Sequence, residues 1–539
     1  MPAARPAIIV ALITSPSPLC RTLFDGWVGL YPEAGFVICT GSDCNSWTLE
    51  QARWYFERET VALPRAGMTI AGFARGVSAR DDIARWATQR AIDTPIEYPP
   101  LVWAGSPEVI RGAQLGTYGT RIDTPAGSWR LATVPKIPLN RSYYDATSVA
   151  YLRARTLKAR GTLADGVFTA RTFWPEDFRL DARAAAQPTA PSPGALRQLI
   201  RSRPHGGATG LFAATLLWER APGTRDWHDK PVVALLLNGA QGDDDEAHGG
   251  HFALVTGRVG DNGAIGDWLA NNFYTLDAYS EKGIIAAPTP LDNYLADLNS
   301  GQAWYRPSCL LVAVLSDGRT ATHLQSALAR VYNQLYRHQL VYEHATMNCA
   351  SISVDLLHAL GWKLPTRGPT SRVLAALSLP WHALRRRSID KAIQAYDYLT
   401  EDRTRLFPAA AFEDIGADLL RLAMGQCSRP LGAMETALAH DIEAISLLRI
   451  PQLPSSRAWG DYPIDSAWEY TRRMPSDPAA RKIIPVPPRP FPQALRDPDL
   501  LPTPRRRGEY AVMVWAVLSV VGIPWLLWRW WQGRHAGAP

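Results

Sequence analysis

Cysteine is scarce in this chain, six among 539 residues, which excludes a disulfide-stapled scaffold. Cys39 and Cys44 form one close pair (CTGSDC), and without a second such pair a zinc ribbon is not supported. Dense Lys/Arg blocks with interleaved aromatics are also missing, so the formal net charge of +7 is a poor match for nucleic acid. It suits an anionic membrane surface better. No internal repeat is present, and long apolar runs are absent but for one, which excludes collagen, a coiled coil and a multi-span transporter. What remains is a chain 47% hydrophobic and 20% charged, able to bury a core and long enough for roughly three to four domains, or two large ones.

The single long apolar run extends from Tyr510 to Trp528 (YAVMVWAVLSVVGIPWLLW) without a charge. As a helix it would be about 28 Å long, close to the thickness of a bilayer core. Arg505–Arg507 precede it, and Arg529, Arg534 and a group of tryptophans stand at its far end. These features predict a transmembrane helix over 509–531. The early run Ile8–Ile13 is too short for a signal-peptide core and reads as a first strand. The expectation is therefore a single-pass, C-terminally anchored protein of a bacterial inner membrane, with its large N-terminal part in the cytoplasm.

Composition predicts five segments. Residues 1–195 mix strand and helix patterns, and QPTAPSPG (187–194) marks a boundary. Residues 205–368 carry apolar strands (PVVALLLNG, HFALV, SCLLVAVLSD) followed by helices. Leu and Ala at three- and four-residue spacing make 369–450 a helical extension. Thirteen of the 43 prolines fall between 451 and 505, where even spacing would give about four, so 451–508 reads as an extended linker to the membrane segment.

Two positions carry chemistry. His251 opens the strand HFALV behind Gly-Gly. Cys349 stands in TMNCASISVDLLHALGW, where Thr346 or Asn348 can cap a helix whose buried stripe is Ile352, Leu356 and Leu360. A cysteine in a first helical turn meets free amides and the positive end of the helix dipole. Both favour thiolate, and the same amides can hold an oxyanion. A neutral imidazole on an adjoining strand could take the proton and return it. If Asp261-Asn262 is a two-residue hairpin loop, His251 faces Asn272, which would complete a Cys-His-Asn triad. Asn271 serves if the register slips by one, and Asp267 is the reserve. Tyr342 and His344, just ahead of the nucleophile, are candidates to line its cleft, and Asn348 adjoins it.

This order, a strand beginning with His and a later helix opening on Asn-Cys, resembles the circularly permuted papain-like fold of lecithin:retinol acyltransferase-like and NlpC-like enzymes. It is also similar to a bacterial membrane-associated group that includes a lipoprotein N-acyltransferase. The resemblance covers about 130 residues and rests on two short motifs 98 residues apart. It implies His251 as base and Cys349 as nucleophile. The second His common on the next strand in the acyltransferases is absent, which leaves an Asn or Asp to orient the base. The implied fold class is α+β: a permuted papain-like core of antiparallel sheet and helices, with a mixed N-terminal domain, a helical extension and the transmembrane helix. The implied activity is thiol-dependent acyl hydrolysis or transfer on a lipid or lipid-modified protein, with peptide or peptidoglycan amide as the runner-up.

Blander readings compete. A lone Cys in an amphipathic helix is commonly core. The run Asp243-Asp244-Asp245-Glu246-Ala247-His248 could ligate a metal but reads better as a solvated acidic loop, so neither metal nor cofactor is expected. Arg385–Arg387 face solvent or lipid headgroups. A membrane-tethered binding or scaffold protein is the alternative from a different class.

Overall fold

The computed structural model describes residues 108–139, 143–184, 186–187, 191–223, 225–279, 285–336, 338 and 340–495, with shorter pieces at 21–22, 27–32, 36–38, 61–64, 78–90, 92 and 101–104, and Trp528. The fold is α+β with two large sheets.

The first, six-stranded sheet contains β1 (Glu108–Leu115), β2 (Arg121–Thr124), β3 (Gly127–Thr133), β4 (Leu157–Ala164) and β5 (Val167–Pro175), in the order β1-β4-β5-β3-β2, with the two-residue strand Arg21–Thr22 antiparallel on the far side of β1. An added β1–β2 pairing closes it on itself, leaving fewer free edges. The second sheet contains β6 (Ala213–Glu219), β7 (Pro231–Asn238), β8 (His251–Arg258), β9 (Leu269–Asn271), β10 (Pro288–Pro290), β11 (Ser308–Leu315) and β12 (Ile442–Ile450). Its order is β6-β12-β11-β7-β8-β9-β10, and every pairing is antiparallel.

Strands β7 and β11 are buried along their whole length, so they read as continuous apolar runs although side chains alternate between two faces. Leu235, Leu237, Phe252, Leu254 and Leu311 face one core. That core is roofed by α4 (Arg319–Tyr336), α5 (Cys349–Ala359) and α8 (Pro408–Ala423). Ala234, Leu236, Ala253, Val255 and Leu310 face the other, shared with the first sheet. There, after the helices α1 (Ala146–Arg153) and α2 (Pro193–Arg201), the short helix α3 (Leu291–Ala296) joins the two sheets through buried ion pairs. Lys158 reaches Asp267 at 2.6 Å and Asp292 at 2.8 Å, while Arg160 reaches Asp292 at 2.8 Å and Asp267 at 2.7 Å.

The second sheet runs past residue 368. Helix α8 packs so close that a Cβ on Gly416 would lie 2.8 Å from Leu311 Cδ2, and β12 inserts between β6 and β11. The proline-rich stretch that follows is seated on the fold: Leu453, Tyr462 and Ile464 are buried, and Ala240 bridges to Asp461. The segment before α8 forms a helical pair, α6 (Arg372–Arg386) and α7 (Ile389–Thr400).

No helix among the described residues is long and apolar enough to cross a membrane. This corrects the expected C-terminal transmembrane helix in the fold, and with it the single-pass inner-membrane location and the topology built on it. The run 509–531 lies outside the described residues apart from Trp528, as do Ile8–Ile13, Cys39 and Cys44.

Candidate active site

One end of the second sheet is polar. Asn238 ends β7, His251 opens β8 and Ser308 opens β11, and the pairing sets Asn238 opposite both of the others. Asn238 Nδ2 donates to Ser308 Oγ at 2.8 Å, and the Tyr294 hydroxyl donates to Asn238 Oδ1 at 2.6 Å. Gly250 delivers the chain into β8 at φ +69°, and a Cβ there would stand 2.4 Å from the Asn238 carbonyl oxygen, so the glycine before His251 is a steric requirement.

The ladder between β8 and β9 pairs Leu254 with Asn271, Val255 with Ala270 and Thr256 with Leu269. It is offset by two residues from the register of a two-residue loop, because Asp261–Gly263 forms a 3-10 turn instead. A shift of two keeps each side chain on its own face, where a shift of one would reverse it. Asn272 accordingly meets the imidazole: its Oδ1 contacts His251 Nε2. The amide is oriented from the other side, Asn272 Nδ2 donating to the Ile285 carbonyl at 2.5 Å. The oxygen must therefore face the ring, Nε2 carries the proton, and Nδ1 is left as the basic nitrogen. Asn271 pairs with Gln325 and Asp267 with Lys158, Arg160 and Arg111, so neither reserve candidate is the orienting group.

Cys349 is the first residue of α5. Asn348 caps the helix, its Oδ1 accepting from the amides of Ala350 and Ser351, each at 2.9 Å, while its Nδ2 donates to the carbonyls of His344 and Leu406. The amide of Phe252, the residue after His251, the Tyr342 hydroxyl and the Ala350 amide all act on the Cys349 sulfur, each favouring its thiolate. Tyr342 lies against both the side chain and the backbone amide of Cys349. Around His251 stand Tyr274, with ring centroids 6.4 Å apart, then Tyr342 and His344 at 5.3 and 6.2 Å from Tyr274. Cys349 and His251 are buried, Tyr342 is half-buried and His344 exposed.

The electrostatics reverse one expectation. Burial raises the Cys349 thiol above its ordinary value, outweighing the Phe252 amide, the Tyr342 hydroxyl, the Ala350 amide and the Arg306 charge. Burial, then the positive charge of Arg306, pushes His251 down to about 3 against the opposing contact with Asn272. The resting pair is neutral thiol and neutral imidazole rather than thiolate and imidazolium. The helix dipole loses because both groups are removed from water, and Asn348 takes part of the amide capacity at the helix start.

Arg306 has no counterpart in the sequence reading. It is buried, donating from Nη1 to the Gly239 carbonyl at 3.2 Å and from Nε and Nη2 to Gln302 Oε1. No carboxylate among the described residues pairs with it. Its only sequence signal is position, two residues before the apolar strand that opens at Ser308.

The acidic loop has structural partners: Asp243 pairs with Arg457 at 2.5 Å, and Asp245 Oδ2 accepts the Lys482 amide at 2.8 Å. Among the described residues no group of three or more His, Cys, Asp and Glu side chains is placed to hold a metal. No family model matches the chain, and no curated protein or solved structure was found to be similar to it.

Proposed function

We propose that this end of the sheet is a cysteine acyl-transfer site acting on an ester or amide. Cys349 Sγ attacks the carbonyl carbon as its proton passes to His251 Nδ1, with Asn272 holding the ring in the required tautomer. Negative charge moves from sulfur to the carbonyl oxygen, beside the donors already grouped around Cys349: the Tyr342 hydroxyl and its own and the Phe252 amides. Collapse of the tetrahedral intermediate breaks the bond to the leaving group, which takes the proton from His251, and leaves a thioester on Cys349. Water, or an amine or hydroxyl acceptor, then attacks that thioester, again losing its proton to His251. The products are the free acid or the transferred acyl group, and the thiol is restored.

The observation that carries this reading is that Asn272 contacts the His251 imidazole while the amide of the next residue, Phe252, acts on the Cys349 sulfur, so three residues far apart in sequence come together at one end of the sheet. Acyl groups of lipids or lipid-modified proteins are the preferred substrates, with peptide amides next. The test is burst kinetics with p-nitrophenyl esters of short and long acids, with and without an added amine. A burst absent from Cys349→Ser supports the site, and acylated amine identifies transfer. The near-complete burial of Cys349 favours the alternative, a non-catalytic binding protein, and equal slow turnover by wild type and Cys349→Ser would select it.

A further inference from the structure

The helical pair α6–α7 turns a large apolar face to solvent. Ala375 and Leu379 on α6 and Ala392 on α7 are buried. On the opposite side of α6, Val373, Leu377, Trp381 and Leu384 are 72, 66, 60 and 79% exposed. Their spacing of four, four and three residues places all four on one side of a helix. Ile389, at the start of α7, is exposed beside them. Such a face is costly in water and marks an interaction surface. Its charge identifies the partner. The α6 sequence RVLAALSLPWHALRR contains no carboxylate. Arg372 and Arg385 are exposed at its ends, Arg387 and Lys391 follow, and Arg385 lies 5.9 Å from the Trp381 ring centroid. Asp390 is the one acid at the turn. Aliphatic residues and a tryptophan on one side, edged by arginines, are the composition of a helix lying in a phospholipid interface.

We propose that the α6 face of Val373, Leu377, Trp381 and Leu384 docks on an anionic phospholipid surface, with Arg372, Arg385 and Arg387 meeting the phosphates. The hairpin is well sited for this. Its base is closed by the bridge between Pro369 and Asp402, and the chain then continues to Leu406, whose carbonyl accepts from Asn348, the cap of the cysteine helix. This inference stands independently of the acyl-transfer reading.

The test is flotation of the full chain with vesicles of phosphatidylcholine alone, or containing about 30% phosphatidylglycerol. Wild type is expected to float with the anionic vesicles and to be released by salt. Leu377→Asp/Leu384→Asp is expected to lower the bound fraction about tenfold, and Arg372→Glu/Arg385→Glu several-fold, with unchanged circular dichroism because all four side chains are exposed. Equal flotation of wild type and Leu377→Asp/Leu384→Asp would overturn the proposal, as would no flotation of wild type. A wild-type dimer that the apolar variant converts to monomer in ultracentrifugation, without flotation of either, would assign the face to a second copy and likewise overturn it.

Discussion

Asn272 fixes the tautomer of His251: its Oδ1 accepts a hydrogen bond from Nε2–H, and its Nδ2 donates to the Ile285 carbonyl, so the amide cannot turn round. Asn272→Ala frees the ring and is expected to lower kcat/KM roughly 10²-fold with little change in KM, and His251→Ala about 10³-fold or more. The parallel measurement on Ser308→Ala, in the same polar row but off the proton path, should show a far smaller loss. Equal losses would make the row structural.

Tyr342 lies against both the side chain and the amide of Cys349. Tyr342→Phe removes the hydroxyl and keeps the ring packing, so kcat is expected to fall about 10–10³-fold while thermal stability changes little. An unchanged kcat would remove Tyr342 from the oxyanion site.

A neutral resting pair has a pH signature. With His251 near 3 and the Cys349 thiol raised, the acid limb of kcat/KM should fall well below the ordinary histidine value of about 6.5. Iodoacetamide should label Cys349 slowly at neutral pH. A limb near 6.5 with rapid labelling would indicate an ion pair instead.

Acid lability follows from the same burial. Burial pushes His323 down to about 4 and His251 to about 3. Below the ordinary value near 6.5 the unfolded chain binds protons that the native rings refuse, so stability is complete above that pH. It is lost as pH falls toward 3, at up to about 1.4 kcal/mol per pH unit for each ring. Urea unfolding between pH 7 and 4 should show a shallower slope for His323→Gln than for wild type. Identical slopes would contradict this.

Arg306 is a buried cation without a carboxylate partner among the described residues, and it bears on both Cys349 and His251. It acts as a positioning charge. Arg306→Met should raise the pH at which Cys349 becomes alkylated and shift His251 upward, and Arg306→Lys should restore both in part. A loss of stability with no movement of either pH profile would make it purely structural.

The places of His251 and Cys349 were legible in the sequence because each stands where an element begins. Gly-Gly before His251 announces a strand start, and Asn before Cys349 announces a helix cap. Asn272 was reached through hairpin parity, which survives a two-residue offset even though the loop itself was misjudged. Arg306, Tyr274 and Tyr294 were not legible, since loops and long-range packing bring them to the site without periodic signal. The same holds for β12, which joins the sheet from beyond the helices that precede it, so a local reading takes 369–450 as a helical extension. The direction of the Cys349 shift was illegible for a related reason: dipole and cap are local, whereas burial is set by the whole fold.

The most direct measurement is the intact and peptide mass of the protein after brief exposure to an activated acyl ester at neutral pH, for wild type, Cys349→Ala and His251→Ala. A single acyl adduct on Cys349 of wild type, absent from Cys349→Ala and formed at least about tenfold more slowly in His251→Ala, is the expected result. No adduct on Cys349, or one that forms at the same rate without His251, would contradict a Cys-His-Asn acyl-transfer site.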